Sequence, residues 1–311
     1  MSERIALALD IGGTKLAVAV IDEHGSVRSE ERTPTPRHAD ADQLFDALEA
    51  VCRRVLSQAH VEVEAVGVGC GGPMIYPAGR VSPINIPAWR DFPLRDRLAD
   101  AFGLPCRVDN DAKALALGER WRGAGHGSAN MLGMVVSTGV GGGIILEGRL
   151  LHGFTGNAGH IGHIVVWPGG PRCGCGARGC VEAVASGTGL ARRLSEAVAD
   201  GAPTHLQPGA TAADIAAAAR QGDDLAAELF RSAGEAVGRG IASAAALLDL
   251  EVVVVGGSIA LRAWDLLGPP LEAELRQSAC LDFTRGLRVS PAALDDRAGL
   301  FGAAMLAFLL R

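Results

Sequence analysis

The chain has 311 residues, a formal net charge of −6 and 48% hydrophobic residues. Because this length exceeds what one hydrophobic core usually organises, we expect two domains, and the apolar fraction excludes a disordered chain. The negative charge, together with the lack of any basic run, excludes an electrostatic nucleic-acid surface.

The N-terminal sequence MSERIALALD enters an apolar strand pattern at once, without the apolar core and cleavage site of a signal peptide. The longest apolar stretch, near residues 298–310, is shorter than the roughly 20 residues that a membrane span needs. We therefore expect a cytoplasmic protein without a membrane partner. The seven cysteines, an odd number, are then expected to be reduced thiols.

Hydrophobic periodicity predicts alternating strands and helices in the first half of the chain. A buried strand at 5–9 meets Gly-Gly-Thr and returns as a second strand at 16–21. The later elements are a helix at 41–58, a strand at 63–68 that runs into a glycine turn at 69–73, a helix near 93–102, a strand near 105–109 and a helix from 112 to about 122.

The second half opens in the same way, which suggests a duplicated unit. A strand at 131–136 meets a glycine turn at 137–143 and returns as a strand at 144–146, and the segment 150–180 is rich in loops. The later elements are helices at about 187–199, 211–219, 223–249 and 298–310 and a strand at 251–255 that meets Gly256-Gly257. This alternation predicts an α/β protein.

Three glycine turns at strand ends are candidate phosphate-binding sites, in a chain that contains 42 glycines. In DIGGTK at 10–15, a hairpin tip without side chains lets backbone N–H groups approach an anion, Thr14 adds a hydroxyl donor, and Asp10 suits a hydrated Mg²⁺. The turn at 137–143 is a second cradle, and Gly256-Gly257 lies where a strand ends and a helix begins. A plain glycine hairpin is the alternative for each turn alone, but the three together predict a nucleotide site.

The sequence Val108-Asp109-Asn110-Asp111-Ala112 lies where a predicted strand ends and a helix begins. One of its carboxylates could simply cap the helix. The functional alternative is a general base, paired with an amide that orients a substrate hydroxyl. The pattern alone leaves both interpretations open.

A cluster of potential metal ligands follows in the loop-rich segment. Cys173, Cys175 and Cys180, with either His160 or His163, predict a tetrahedral zinc site, and disulfides are the alternative. Glu182 follows the cluster directly as a surface carboxylate or a substrate contact. The four remaining cysteines are expected to be ordinary buried residues: Cys52, Cys70, Cys106 and Cys280.

Taken in chain order, these motifs resemble the ROK family of bacterial sugar kinases and sugar-responsive repressors. The resemblance covers essentially the whole chain and rests on DIGGTK at 10–15, NDA at 110–112, STGVGGG at 137–143, GHIGH at 159–163 and CGCGARGCVEA at 173–183. It implies an actin- and hexokinase-like (ribonuclease H-like) α/β fold, with two lobes, an interdomain cleft and a structural zinc loop. We expect a small lobe of residues 1–118 and 298–311 and a larger lobe of residues 119–297 that carries the zinc loop and the nucleotide site.

The resemblance also implies roles for individual residues. Asp111 would be the catalytic general base, and His163, Cys173, Cys175 and Cys180 would bind a structural zinc ion. The implied sugar contacts are Gly72, Asn85, Asn110, Asp111, His160, His163 and Glu182. The implied contacts to ATP and Mg²⁺ are Asp10, Gly12, Gly13, Thr14, Lys15, Thr138, Gly139, Gly141, Gly256 and Gly257.

His160 departs from the family pattern, which has glutamate three residues before the zinc-binding histidine. That glutamate is a sugar ligand in the glucokinases, and the variant GHIGH looks like the N-acetylmannosamine kinases of sialic acid catabolism. A neutral imidazole could make room for, or donate to, an axial N-acetyl group. We therefore expect ATP-dependent phosphorylation of N-acetylmannosamine at its 6-hydroxyl, with glucose or another N-acetylhexosamine as the alternative.

A sugar-sensing repressor is the rival interpretation, since the family contains both classes. A repressor carries a DNA-binding module ahead of the kinase-like body, whereas nine residues precede Asp10 here and the chain is acidic. A non-catalytic sugar-binding module is disfavoured because the base and all three glycine turns are present. A homodimer is expected by family analogy alone.

Overall fold

The computed structural model describes residues 3–310, which form two compact units. The first unit comprises the chain up to Gly127, the segment Leu150–Ala158 and the residues from Asp296 onward. The second comprises Ser128–Arg149 and Gly159–Asp295. We call Leu150–Ala158 the crossing segment, because the chain leaves the second unit to enter it and then returns. Within residues 3–310, no helix is long and apolar enough to cross a membrane.

Residues 3–127, the described part of the first unit before the chain enters the second, form seven strands and three α-helices. Its strands are β1 (Ile5–Ile11), β2 (Lys15–Asp22), β3 (Val27–Pro34), β4 (Ala65–Cys70), β5 (Met74–Ile75), β6 (Arg80–Val81) and β7 (Cys106–Asn110). Its helices are α1 (Ala41–Ala59), α2 (Leu94–Phe102) and α3 (Asp111–Arg122). Helix α1 begins with a capping box, in which the side chains of Asp40 and Gln43 each accept from the other residue's backbone N–H.

The second unit contains five strands and six helices. Its strands are β8 (Met131–Val136), β9 (Val140–Leu146), β10 (Arg149–Leu150, at the border with the crossing segment), β11 (Val252–Gly256) and β12 (Arg288–Pro291). Its helices are α4 (Val181–Ala185), α5 (Gly187–Ala199), α6 (Ala212–Arg220), α7 (Asp224–Leu248), α8 (Ser258–Arg262) and α9 (Trp264–Ser278). Helix α10 (Ala298–Phe308) then closes the chain in the first unit.

The two units carry five-stranded sheets of the same topology. The first sheet has the order β3-β2-β1-β4-β7 and the second the order β10-β9-β8-β11-β12. In each sheet, the strand before the glycine turn, β1 or β8, pairs antiparallel with the strand after the turn, β2 or β9. The same strand pairs parallel with a later strand, β4 or β11. The suggested duplication is therefore borne out by strand order and direction. The alternation of strands and helices confirms the α/β class.

Strand β1 is buried on both faces. Its large side chains lie on the face that packs against α1, and its alanines lie on the face that packs against α10. Its odd-numbered residues, such as Leu7 and Leu9, join a core with large side chains of α1. Its even-numbered alanines, Ala6 and Ala8, face α10. Helix α10 lies so close to the sheet that a Cβ at Gly67 of β4 would be 1.8 Å from a carbonyl oxygen of α10, so only glycine fits at this position. This packing brings the first turn of α10 to the end of β1.

Candidate functional site

The β1–β2 hairpin has the side-chain-free tip that the sequence predicts. The N–H of Gly12 donates to the carbonyl of Lys15 at 2.9 Å, so this amide is already engaged within the hairpin. A Cβ at Gly13 would lie 2.5 Å from Cβ of Asn85 and 2.6 Å from its carbonyl oxygen. The structure therefore places Asn85, a candidate sugar residue, directly against the candidate phosphate turn.

Asp10 is partly buried at the end of β1. Burial, aided by the negative charge of Asp111, raises the pKa of Asp10 from 3.8 to about 6, although Lys15 and Arg32 act in the opposite direction. The first turn of α10 supports this position, because a Cβ at Gly299 would lie 2.7 Å from Cγ of Asp10. The carboxylate is thus crowded but still ionised at neutral pH.

The start of α3 presents Asn110 and Asp111 side by side. Asn110 is the N-cap, and the N–H of Ala112 donates both to Oδ1 of Asn110 at 3.0 Å and to Oδ1 of Asp111 at 2.8 Å. The alternative that Asp109 or Asp111 is the helix cap is wrong, since Asn110 takes that place, although Asp111 also accepts from an N–H of the first turn. Asp111 is exposed. A Cβ at Gly72 would lie 3.5 Å from Nδ2 of Asn110, so the turn after β4 borders this pair.

Sequence reasoning missed the buried charges beneath this pair. Asp109 and Lys113 are 0% and 2% exposed, and Nζ of Lys113 lies 3.3 Å from Oδ1 of Asp109. Lys113 also donates to the carbonyl of Gly156 in the crossing segment at 2.6 Å. Burial by itself would raise the pKa of Asp109, but the contacts with His152 and Lys113 outweigh it and hold that pKa below its ordinary value. One signal was available: only two of the 29 basic residues are lysines, Lys15 and Lys113.

The crossing segment makes a second set of contacts in the first unit through His152. Its Nδ1 lies 3.2 Å from Oδ2 of Asp109, and its ring stacks on that of Tyr76 with centroids 4.4 Å apart. The Tyr76 hydroxyl lies 3.3 Å from Nε2 of His152 and accepts from Arg107 at 3.0 Å. These contacts tie the crossing segment to Tyr76 and to β7, directly before the helix that begins with Asp111.

In the second unit, the four predicted metal ligands converge. One potential ligand atom from each of His163, Cys173, Cys175 and Cys180 lies within 4.8 Å of the others. Sγ of Cys173 is 3.7 Å from Nδ1 of His163, and Sγ of Cys175 is 3.8 Å from Sγ of Cys180. A zinc tetrahedron with Zn–S bonds of about 2.3 Å has S–S edges of about 3.8 Å, whereas a disulfide is about 2.05 Å long. The donor set and spacing therefore fit zinc.

The cluster contains His163 rather than His160. The two imidazoles stack with centroids 6.0 Å apart, and both residues are exposed. His160 is therefore not one of the four residues of the cluster.

The glycine turn of the second unit is shorter than predicted, because β9 begins at Val140. Gly141 consequently lies in the β8–β9 ladder opposite Val135, and the turn proper is Ser137–Gly139. Thr138 is exposed at its tip. The side chain of Glu182 lies against this turn, and its Oε2 accepts from the N–H of Val140 at 3.0 Å.

The third glycine turn lies beside the second. Gly257 has φ +95°, and a Cβ there would lie 2.5 Å from the carbonyl oxygen of Val136, so glycine is required on both grounds. Oγ of Ser258, the first residue of α8, is 2.9 Å from Oγ of Ser137. Two of the three predicted phosphate turns therefore meet within the second unit.

A comparison with protein families matches the ROK family profile to residues 6–308. The chain belongs to the ROK family. The resemblance inferred from the sequence motifs is thus confirmed.

Curated ROK relatives carry two different substrate names. The chain is 36% identical to a glucokinase of Halalkalibacterium halodurans, with 98% of this chain and 96% of the relative covered. It is 37% identical to an N-acetylmannosamine kinase of Citrobacter koseri, with 97% and 98% covered. The names of the relatives therefore leave the sugar open.

Solved structures confirm the expected fold. A ROK hexokinase from Thermus thermophilus is 36% identical, with a TM-score of 0.87 and 98% of each chain covered. A ROK glucokinase from Streptomyces griseus, solved with glucose and AMPPNP, is 35% identical, with a TM-score of 0.77 and 98% of this chain and 99% of that chain covered. The two-lobed α/β kinase fold thus holds for this ROK protein.

Proposed function

We propose that this ROK protein is a sugar kinase that transfers the γ-phosphoryl group of MgATP to the 6-hydroxyl of a hexose or N-acetylhexosamine, with N-acetylmannosamine as the preferred acceptor. The observation that carries the proposal is the Asn110–Asp111 pair, because it presents an exposed carboxylate beside an amide at a rigid helix start. Relatives named as kinases over nearly the whole chain support the same reaction.

Asp111 is the general base of the proposed reaction. Its Oδ1 accepts from Ala112, which fixes the carboxylate while it takes the proton from the sugar 6-hydroxyl. The hydroxyl oxygen then bonds to the γ-phosphorus, and the bond from phosphorus to the ADP oxygen breaks. Oδ1 of Asn110 is occupied by its capping bond, so its Nδ2 is the group that orients the sugar. Asp109 is not an alternative base, because it is fully buried against Lys113.

In the proposed reaction, residues of the glycine turns bind Mg²⁺ and the phosphates of ATP. Asp10, ionised above about pH 6, holds the hydrated Mg²⁺ of MgATP. Gly13 leaves room for Asn85, since a Cβ at Gly13 would lie 2.5 Å from Cβ of Asn85. Thr138 and the neighbouring glycine turns hold the phosphates through backbone N–H groups and hydroxyls. Preorganised donors of this kind offset the charge that develops during transfer.

Zinc fits the ligand set of His163, Cys173, Cys175 and Cys180, and in that site it is structural, with all four positions filled by protein. It would stiffen the loop that carries His163 and Glu182. The homodimer expected by family analogy and the cytoplasmic location expected from the sequence stay predictions.

His160 supports N-acetylmannosamine over glucose. An imidazole at this exposed position lacks the paired carboxylate oxygens that bind neighbouring hydroxyls, and it can donate one hydrogen bond to an acetamido oxygen. A glutamate would remove that donor and restore a hydroxyl acceptor.

A coupled kinase assay over N-acetylmannosamine, glucose, N-acetylglucosamine and mannose tests the proposal, with wild type, His160→Glu and Asp111→Asn compared. We expect the highest kcat/KM for N-acetylmannosamine and a shift of about tenfold or more towards glucose in His160→Glu, the cost of one unmatched polar contact. Asp111→Asn should lose turnover and retain sugar binding. A wild-type preference for glucose would refute the sugar assignment, and unchanged turnover in Asp111→Asn would refute the base.

A further inference from the structure

The turn Ser137–Gly139 is held by one side chain from outside its own hairpin. Oε2 of Glu182 accepts from the N–H of Val140 at 3.0 Å, where β9 begins. A Cβ at Gly139 would lie 2.8 Å from the same oxygen, so the glycine leaves the space that the carboxylate fills. A carboxylate on a backbone N–H is a charge-assisted hydrogen bond, which is stronger than a neutral one.

The same carboxylate reaches the metal-ligand cluster on its other side. Oε1 of Glu182 lies 3.8 Å from Sγ of Cys173. Glu182 also follows Cys180 by two residues, in the first turn of α4. The position of this side chain is therefore set by the loop that the cluster holds together.

Two more residues after the cluster hold the turn. The N–H of Gly187 donates to the carbonyl of Ser137 at 2.8 Å. The hydroxyl of Thr188 donates to the carbonyl of Thr138 at 2.9 Å, and its N–H reaches the same oxygen at 3.3 Å. The glycine turn thus receives its order from the segment 182–188 as well as from its own strands.

We propose that Glu182 is a positioning residue for nucleotide binding, and that the metal-ligand cluster is coupled to the nucleotide through it. This inference rests on the proposed kinase function, in which the turn Ser137–Gly139 holds phosphates. It differs from the role that the family pattern implies for Glu182, because a sugar contact alone leaves nucleotide affinity in the absence of sugar unchanged. A glycine-rich turn that loses its external hydrogen bond gains conformational freedom, and the nucleotide must then order it on binding.

The test measures the affinity of the non-hydrolysable analogue AMPPNP with Mg²⁺ by calorimetry, without sugar, and sugar affinity in a separate titration. Glu182→Ala should weaken AMPPNP binding about tenfold or more. Glu182→Gln keeps an oxygen acceptor for Val140 and should stay within about threefold of wild type. Thr188→Val removes one hydroxyl donor, leaves Glu182 in place and should weaken AMPPNP binding a few-fold without changing sugar affinity.

A chelation arm tests the coupling to the metal. The protein is titrated with AMPPNP before and after removal of metal, with metal content measured on the same samples. We expect metal removal to weaken AMPPNP binding in wild type. The effect should be clearly smaller in Glu182→Ala, because the cluster acts on the glycine turn through the side chain that this substitution removes. Circular dichroism of each sample establishes that it is folded.

The outcomes separate the inference from the function beneath it. Wild type that binds no AMPPNP refutes the proposed kinase function. If Glu182→Ala binds AMPPNP as tightly as wild type and only its sugar affinity is reduced, the inference is overturned and the proposed kinase function is unaffected. If Glu182→Ala does not fold, Thr188→Val decides: weaker AMPPNP binding with unchanged sugar affinity supports the inference, and unchanged AMPPNP binding overturns it.

Discussion

The two sheets have the same strand order, but the glycine turns that follow their first strands are supported in different ways. In the first unit, Gly13 packs against the Cβ and backbone of Asn85, at 2.5 and 2.6 Å from an added Cβ. In the second unit, Gly139 faces only the end of the Glu182 side chain, at 2.8 Å. The space beside the glycine is therefore bounded by backbone in the first turn and by the end of a side chain in the second. Shared topology therefore does not fix how a turn is held.

The units also differ in where they keep charge. The first unit buries the Asp109–Lys113 pair completely and crowds Asp10 near Asp111. In the second unit, every ion pair between residues within the described range 3–310 has at least one partner with substantial exposure. Its buried reactive groups are thiols of the metal-ligand cluster instead. Two predictions test this difference, and a third tests the difference between the glycine turns.

The largest effect is expected from Lys113→Met, which keeps the apolar stem and removes the cation. Asp109 would be left in a site without solvent exposure, and breaking a buried ion pair in this way costs about 3 to 5 kcal/mol of unfolding free energy. Urea unfolding followed by tryptophan fluorescence measures it. Two tryptophans lie in each unit, so replacing Trp167 and Trp264 by phenylalanine leaves reporters in the first unit only.

The matched control for that prediction is Arg276→Met in the second unit. Arg276 and Glu272 have the same i,i+4 spacing as the buried pair, but they are 71% and 53% exposed. Exposed pairs of this kind contribute about 0.5 kcal/mol or less. Equal losses in Lys113→Met and Arg276→Met would show that burial of charge does not distinguish the two units.

Asp10→Asn should stabilise the free protein at neutral pH. Because the pKa of Asp10 is about 6 in the folded protein and ordinarily 3.8, the unfolded chain ionises this carboxyl first as the pH rises. Stability is therefore lost between about pH 4 and pH 6, by about 3 kcal/mol in all. Asparagine does not titrate, so we expect the variant to gain about 2 to 3 kcal/mol over wild type above pH 6 and little below pH 4.

Urea unfolding of both proteins across that pH range checks this prediction. A difference between the two proteins that does not grow with pH would mean that Asp10 is not electrostatically strained. If Asp10 holds Mg²⁺ as we propose, the same variant should also lose Mg²⁺ at this position, and the charge would then be kept for function at a cost in stability.

The features that the sequence predicts correctly are those whose motifs lie within short stretches of consecutive residues. The strand–glycine–strand units and the His163 and cysteine cluster lie in short stretches, and each carries its signature in consecutive residues. Helix α9 was missed because Pro269 and Pro270 lie inside it, and β3 because most of its residues are polar. The contact between Lys113 and Gly156 joins residues 43 apart and has no local pattern at all.

The smallest effect should separate the two glycine turns themselves. Gly13→Ala places its Cβ against the backbone of Asn85, which cannot move without its neighbours, so we expect a loss of about 1 to 3 kcal/mol in unfolding free energy. Gly139→Ala meets only a carboxylate that can swing away, and its loss should stay below about 1 kcal/mol. Urea unfolding measures both, with Trp89 and Trp121 as the remaining reporters for Gly13→Ala and Trp167 and Trp264 as the remaining reporters for Gly139→Ala.

The double variant Gly139→Ala with Glu182→Ala sharpens this last comparison. Since the alanine Cβ at residue 139 conflicts with the oxygen that Glu182→Ala removes, the clash disappears in the double variant, and the two losses should sum to more than the measured loss. Asn85→Ala offers no such relief to Gly13→Ala, because the Cβ and carbonyl of residue 85 remain. Additive losses in the second unit would mean that Glu182 does not fill the space beside Gly139.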